Sequence, residues 1–238
     1  MSDAGSTDGR QSRWLEHKLE RRGQILDAAL AVIEDSPHGA EIHVSQIAAR
    51  AGLSRPVIYR HFADRADLDQ AVQTHILDSL RGRLTPQVVL SGSVDEIILR
   101  IVSTYVDWAA EHPNLHRVAA QDFAGVATTS PLQTAVQQIA AELSGLISLA
   151  ADVLVVELDD DDRAALDPLA LGLVSLAISA VQLWLARPER QPTAEVLSRL
   201  LTDTIWYAID GHTRARGVTL DPHLPLEDLI EASWTAAR

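Results

Sequence analysis

Val44-Ser45-Gln46-Ile47-Ala48-Ala49-Arg50-Ala51-Gly52-Leu53-Ser54-Arg55-Pro56-Val57-Ile58-Tyr59-Arg60-His61-Phe62 decides the fold. Two short runs with apolar residues at three- and four-residue spacing, 44–51 and 55–62, are separated by Gly52-Leu53-Ser54. That is the spacing of a helix-turn-helix. Ile47, Ala48 and Ala51 form the inward face of the first helix, and Ala48 is small enough for the second helix to cross closely. Gly52 supplies the left-handed backbone the turn demands, and Leu53 fills the angle between the helices. Ser54 is a favoured N-cap residue, and Pro56 falls in the first turn, where its missing N–H would have had no intrahelical partner. On the second helix Val57, Ile58 and Phe62 are the buried set, leaving Arg55, Pro56, Tyr59, Arg60 and His61 outside. Such a face suits DNA: arginine bonds guanine or phosphate, tyrosine and histidine donate to phosphate oxygens, and proline touches a thymine methyl. An exposed basic and aromatic helix in an ordinary bundle has the same pattern, so the motif alone leaves both readings open.

Outward from this motif nearly every long segment repeats apolar residues at helical spacing, without the turn clusters that bound short strands. The chain reads as all-α. Helices are expected at 13–34, 44–51, 55–62, 64–84, 94–111, 115–123, 132–157, 163–186, 193–216 and 226–235. Asp35-Ser36-Pro37, Pro86, Pro113, Gly217 and the Pro222/Pro225 pair mark the breaks. The acidic run Asp159–Asp162 precedes a helix, where negative charge is favourable. A calcium loop would need spaced ligands and a turn glycine, which are missing.

The 238 residues carry 20 Lys+Arg against 33 Asp+Glu, a formal charge of −13, with no cysteine. Disulfides, thiolate metal sites and cysteine nucleophiles are therefore excluded. Met1 to Gly9 is small and polar and lacks the apolar stretch of a secretory signal, so a cytoplasmic protein is expected. The charge is uneven: residues 1–84 sum to −1 and residues 85–238 to −12. Within 44–68, Arg50, Arg55, Arg60 and Arg65 face only Asp64 and Asp67, and Arg10, Arg13, Lys18, Arg21 and Arg22 lie upstream. Phosphate binding depends on the field of the contacting face, so net acidity does not exclude nucleic acid. The chain lacks the G-x-S-x-G, H-E-x-x-H, P-loop and G-x-G-x-x-G motifs, and no enzymatic activity or cofactor is expected.

Three groups of residues together, Arg22-x-x-Ile25-Leu26-x-Ala28-Ala29, then Ile47-Ala48-x-x-Ala51-Gly52-Leu53-Ser54, then Tyr59-x-His61-Phe62-x-x-Arg65-x-x-Leu68, closely resemble the TetR/AcrR family of bacterial transcriptional regulators. The resemblance covers about residues 21–71; beyond it the chain agrees in length and helical character. It implies an Ω-shaped homodimer, an N-terminal three-helix DNA-binding domain and a C-terminal helical domain for ligand and dimer contacts. The corresponding division is a disordered tail at 1–12, the helix-turn-helix domain at 13–63, a connecting helix at 64–84 and the ligand-binding and dimerisation domain at 85–238. The resemblance implies phosphate contacts at Tyr59, His61 and Arg65, with Arg55, Pro56 and Arg60 at positions that vary with operator sequence. Ser45, Gln46 and Ser54 complete the candidate DNA-contacting set. His43 stands where the family usually has a capping Thr, so Gln46 is expected to reach back to the helix start. Pro56 replaces a common Gly, and Arg65 a usual Lys. Whether Arg10 to Arg22 forms an arm that reaches a minor groove stays open.

In the larger half the candidate pocket residues are Tyr105, Trp108, Leu115, Phe123, Leu143, Ile147 and Trp184, with His112, His116, Gln121 and Gln182 as polar anchors. Core packing is the alternative for the aromatics, since pockets and cores share a composition. His112 and His116 have the spacing of a metal pair, but no third ligand is evident and no metal is expected. Residues 168–186 are uncharged and long enough to span a membrane, yet Gly172, Ser175, Ser179 and Gln182 dilute them; a buried helix is expected. The resemblance implies a four-helix dimer interface from 168–186 and 193–216, with Leu173, Leu176, Ala177, Ala180, Leu197, Leu201, Thr204 and Ile205 as its residues. The expected function is a repressor that binds a palindromic double-stranded operator as a homodimer and is released when an apolar or amphipathic small molecule moves the 64–84 helix. A helical dimeric protein-interaction adaptor with a degenerate DNA-binding domain is the alternative.

Overall fold

The computed structural model describes residues 5–121, 130–154 and 156–236. Among them there are ten α-helices and no strand: α1 (Gly5–Asp35), α2 (Val44–Arg50), α3 (Arg55–His61), α4 (Arg65–Leu84), α5 (Val94–Glu111), α6 (Pro113–Ala119), α7 (Pro131–Val153), α8 (Asp160–Leu185), α9 (Ala194–Ala215) and α10 (Leu226–Ala236). The all-α expectation holds. Residues 5–12, assigned from the sequence to a disordered tail, are helical; residues 1–4 lie outside the described residues. No proline interrupts this stretch, and extending a nucleated helix is far easier than starting one.

Local chemistry fixes the helix ends. Leu53 N–H donates to the Ala48 carbonyl at 2.8 Å and Gly52 N–H to the Ala49 carbonyl at 3.1 Å, while Gly52 holds φ at 66°. These paired bonds form a Schellman stop that turns the chain from α2 into α3. His43 N–H donates to Gln46 Oε1 at 2.7 Å, as expected from the missing Thr. The Ser54 side chain makes no cap bond, contrary to expectation, and its hydroxyl stays on the surface. Asp162 N–H donates to Asp159 Oδ1 at 2.7 Å, so the acidic run caps α8, which starts three residues earlier than expected. Likewise α6 starts at Pro113 rather than Leu115, because proline suits the first helical position.

Ile25, Ala29 and Ile33 of α1 pack with Val44, Ile47 and Ala48 of α2, Ile58 and Phe62 at α3, and Leu68, Val72 and Ile76 of α4. The same apolar cluster continues through Val102, Val106 and Trp108 of α5, Leu115 and Ala119 of α6, and Val181 and Trp184 of α8. The core is thus not interrupted at the expected divisions between 63 and 64 or 84 and 85. Helix α5 lies along α9, α7 lies along α8, and α4 runs between these pairs and the N-terminal helices. A smaller cluster, including Leu154, Trp206, Leu220 and Leu229, holds the C-terminal segment.

Helix α8 departs from the expected buried helix. Only Ala170, Val181 and Trp184 on it are buried, while Leu169, Leu171, Leu176 and Leu183 are exposed. Asp160–Leu185 is long and apolar enough to cross a membrane by length and composition alone. A helix of uniformly small and apolar residues does not reveal which face meets the core, which is why the sequence overstates its burial.

Candidate nucleic-acid interface and effector cavity

Helices α2 and α3 present one polar face to solvent. Ile58 and Phe62 anchor α3, Val57 is only half-buried, and Ser45, Gln46, Ser54, Arg55, Pro56, Tyr59 and Arg60 are exposed. The Arg55 guanidinium lies 5.8 Å from the Tyr59 ring centroid. Neither Arg55 nor Arg60 has a carboxylate partner among the described residues, so their charge is available to an anion. His61 and Arg65 are less exposed than their neighbours on this face. His61 is half-buried with its Nδ1 turned inward and without a partner among the described residues. Burial, then Lys18, Arg21 and Arg22, lower its pKa. Arg65 donates from Nε to both Asp69 oxygens, at 2.8 and 2.7 Å, and from Nη1 to the Ile42 carbonyl at 2.8 Å. It ties α4 to the segment before α2, a use that a basic residue in a sequence does not reveal. Arg22 also emerges as structural. Its guanidinium lies 4.2 Å over the Phe62 ring and donates to the His61 carbonyl at 2.6 Å, fixing α1 to the end of α3.

A cavity of about 280 Å³ opens among α4, α5, α6, α7 and α8. Leu77, Leu80 and Leu84 line it from α4, Ile98, Ile101 and Val102 from α5, Val136 and Ile139 from α7, and Val174 and Ile178 from α8. None of these ten was singled out in the sequence, because packing rather than motif makes a cavity wall. Of the expected pocket residues, Tyr105, Trp108, His116 and Leu143 line it. His112, Leu115, Gln121, Ile147, Gln182 and Trp184 do not, and Phe123 lies outside the described residues. Gln121 and Gln182 face solvent. Trp184 follows Ile178 by roughly 9 Å along the helix axis, and its indole N–H donates to the Pro192 carbonyl at 2.8 Å.

Among the described residues the cavity wall holds one buried polar pair. Tyr105 Oη and His116 Nε2 are 2.9 Å apart, and burial lowers the His116 pKa to about 4 while raising that of Tyr105. Both groups are therefore neutral near pH 7. Glu142 is the other ionisable side chain of the wall and is paired with Arg81. The two histidines have different partners: His116 meets Tyr105, whereas His112 Nδ1 lies 3.1 Å from Glu34 Oε1 on α1. Beside it Asn114 Nδ2 donates to the Ser36 carbonyl at 2.9 Å, and Gln73 Nε2 of α4 donates to the Ala119 carbonyl of α6 at 3.0 Å. Helix α6 thus carries part of the cavity wall on one side and grips α1 on the other.

The expected dimer residues divide three ways. Leu173, Ala177 and Ile205 line the cavity; Leu197 and Leu201 are buried in the chain's own core, against which Ala180 also packs. Leu176 and Thr204 are exposed. Leu183 on α8 and Val196, Leu200 and Tyr207 on α9 are exposed as well, a set the sequence reading missed. Heptad spacing of Leu169, Leu176 and Leu183 was the available signal.

A basic recognition helix built into an all-helical core that also encloses an apolar cavity defines a helix-turn-helix DNA-binding transcriptional regulator. Residues 25–72 match the family described as bacterial regulatory proteins, tetR family, and this match, with the relatives and the solved structure below, supports a TetR-family transcriptional regulator. The chain is 28% identical over 218 residues to an uncharacterised HTH-type transcriptional regulator of Mycobacterium tuberculosis, covering 89% of this chain and 86% of that one. It is 35% identical over 86 residues to the HTH-type transcriptional repressor LfrR of Mycolicibacterium smegmatis, 36% of this chain and 44% of the relative. A tetR-family transcriptional regulator from Streptomyces coelicolor shares the fold with a TM-score of 0.59 at 22% identity, over 91% of this chain and 89% of that one.

Proposed function

We propose that the protein is a cytoplasmic repressor that binds a palindromic operator as a homodimer and releases it when an apolar or amphipathic molecule fills the cavity. The carrying observation is that α4 and α6 serve both ends. Leu77, Leu80 and Leu84 of α4 line the cavity, while Leu68, Val72 and Ile76 of the same helix pack under the helix-turn-helix. A ligand that fits the cavity better in one arrangement of these helices shifts the population toward it; one that binds both equally shifts nothing. The repressor LfrR supports repression, while the activator FasR of Mycolicibacterium smegmatis, 27% identical over 171 residues, is a relative of the opposite action; loss of operator affinity on effector binding separates the two. Arg55, Tyr59 and Arg60 are the DNA-contacting residues in this reading, with Ser45, Gln46, Ser54 and Pro56 beside them. His61 and Arg65 follow at the border of this face, and Arg65 also ties α4 to the segment before α2.

Selection of sites from random duplex DNA tests the proposal. The expected result is a palindrome with half-sites about one helical turn apart, lost on Tyr59→Ala. Arg55→Ala should weaken binding by about 1–3 kcal/mol and relax specificity at one position if it reads a base. No enrichment by a folded dimer would favour the protein-interaction adaptor. Unchanged operator affinity at saturating ligand, with binding seen by calorimetry, would reject effector control.

A further inference from the structure

Taking the cavity as the effector site proposed above, we infer that it selects an uncharged molecule, a long apolar body carrying one hydroxyl group that docks on the Tyr105–His116 pair. Among the described residues the wall is apolar, Trp108 included, except at two places, and the two differ in kind. At the first, Tyr105 Oη and His116 Nε2 are 2.9 Å apart, with His116 only 4% exposed. A phenol bonded to a neutral imidazole keeps hydrogen-bonding capacity whichever ring nitrogen carries the proton. If Tyr105 donates to His116, its oxygen still accepts; if His116 donates to Tyr105, the phenolic O–H is free to donate. A ligand hydroxyl, both donor and acceptor, fits either arrangement.

The second place is Glu142, which is half-exposed and paired with Arg81, a residue outside the wall. An anionic head near the rim meets the Glu142 carboxylate, and the cation there is already engaged. An anionic or cationic head at the Tyr105–His116 end meets no opposite charge among the described residues that line the cavity. Burying an unpaired charge is far more costly than burying a hydroxyl with a hydrogen-bond partner. Either charge at the Tyr105–His116 end, and a negative charge beside Glu142, therefore lower affinity; a cationic head beside Glu142 gains little because Arg81 already offsets that carboxylate, and the aliphatic wall rewards chain length.

Displacement of the uncharged fluorophore N-phenyl-1-naphthylamine from the full-length protein, without DNA, tests this with decan-1-ol, decanoate and decylammonium at pH 7.5. The alcohol should bind at least about tenfold more tightly than either ion. Tyr105→Phe should weaken the alcohol several-fold, as expected for one lost hydrogen bond, with fluorophore affinity within about twofold of wild type, which also reports an intact cavity. An ion that binds as well as the alcohol, an alcohol indifferent to Tyr105→Phe, or no binding by any of the three overturns the inference. Operator affinity measured separately distinguishes the two proposals. An alcohol that binds as described but leaves DNA affinity unchanged counts against effector control, and the assignment of the subsite stands.

Discussion

His116 sits in the cavity wall with a pKa near 4, against 6.5 in an unfolded chain, because burial disfavours the imidazolium. Between those values the unfolded chain takes up a proton that the folded one refuses. Stability supplied by the neutral histidine is complete above pH 6.5 and is lost as the pH falls toward 4. Lowering the pH from about 7 to about 4.5 should remove about 2–3 kcal/mol through this residue. Urea unfolding of the wild type and of His116→Gln at both values measures it: the variant should lose less stability than the wild type by about that amount. Equal losses would mean that the ring is not held neutral. The sequence placed His116 in the pocket but could not foresee its partner, since Tyr105 lies eleven positions upstream on another helix. His112, with the same claim on paper, faces away toward Glu34.

At the scale of elements, two glycines give opposite expectations from the same substitution. Gly52 has φ at +66° and Gly23 lies within α1, and a Cβ on either meets nothing within 4 Å. Sterics with neighbours thus contribute to neither, and backbone preference alone decides. Gly52→Ala should destabilise by about 1 kcal/mol or more by forcing an L side chain into the left-handed region. Gly23→Ala should stabilise by roughly 0.5–1 kcal/mol by removing glycine from a helix interior. Thermal unfolding of the two variants checks both signs. The α2-turn-α3 element was legible because its signals are local: a small residue at the crossing, a turn glycine, a proline in the first turn. The same holds for α5, whose expected bounds of 94–111 are the observed ones, set by the Ser93–Glu96 cap and by Pro113. Helices α8 and α9 were legible as helices but not in phase. Leu173, Ala177 and Ile205 line the cavity and Leu197 and Leu201 fill the core, because apolar residues ring these helices and only tertiary packing assigns them a side.

At the scale of the whole molecule, the exposed leucines of α8 and the exposed apolar residues of α9 are what a single chain leaves without cover. Leu183 is 63% and Tyr207 68% exposed, whereas Leu201 is 5% exposed. Surfaces of this kind are characteristic of the interface between subunits, which resembles a core cut in half. If the two copies meet there, Leu183→Glu should yield a monomer by analytical ultracentrifugation with an unchanged circular dichroism spectrum. Leu201→Glu, by contrast, should unfold the chain, since it buries a charge in the subunit's own core. Under the proposed function the consequence for DNA is large, because a palindrome would be read by two recognition helices held together. Splitting the dimer removes the effective concentration of the second, and operator affinity should fall by about 100-fold or more. The residual binding should also be weak at any sequence, because a chain whose residues 85–238 sum to −12 has little attraction for DNA beyond one recognition face. A Leu183→Glu protein that stays dimeric and keeps full affinity would place the subunit contact elsewhere on the molecule.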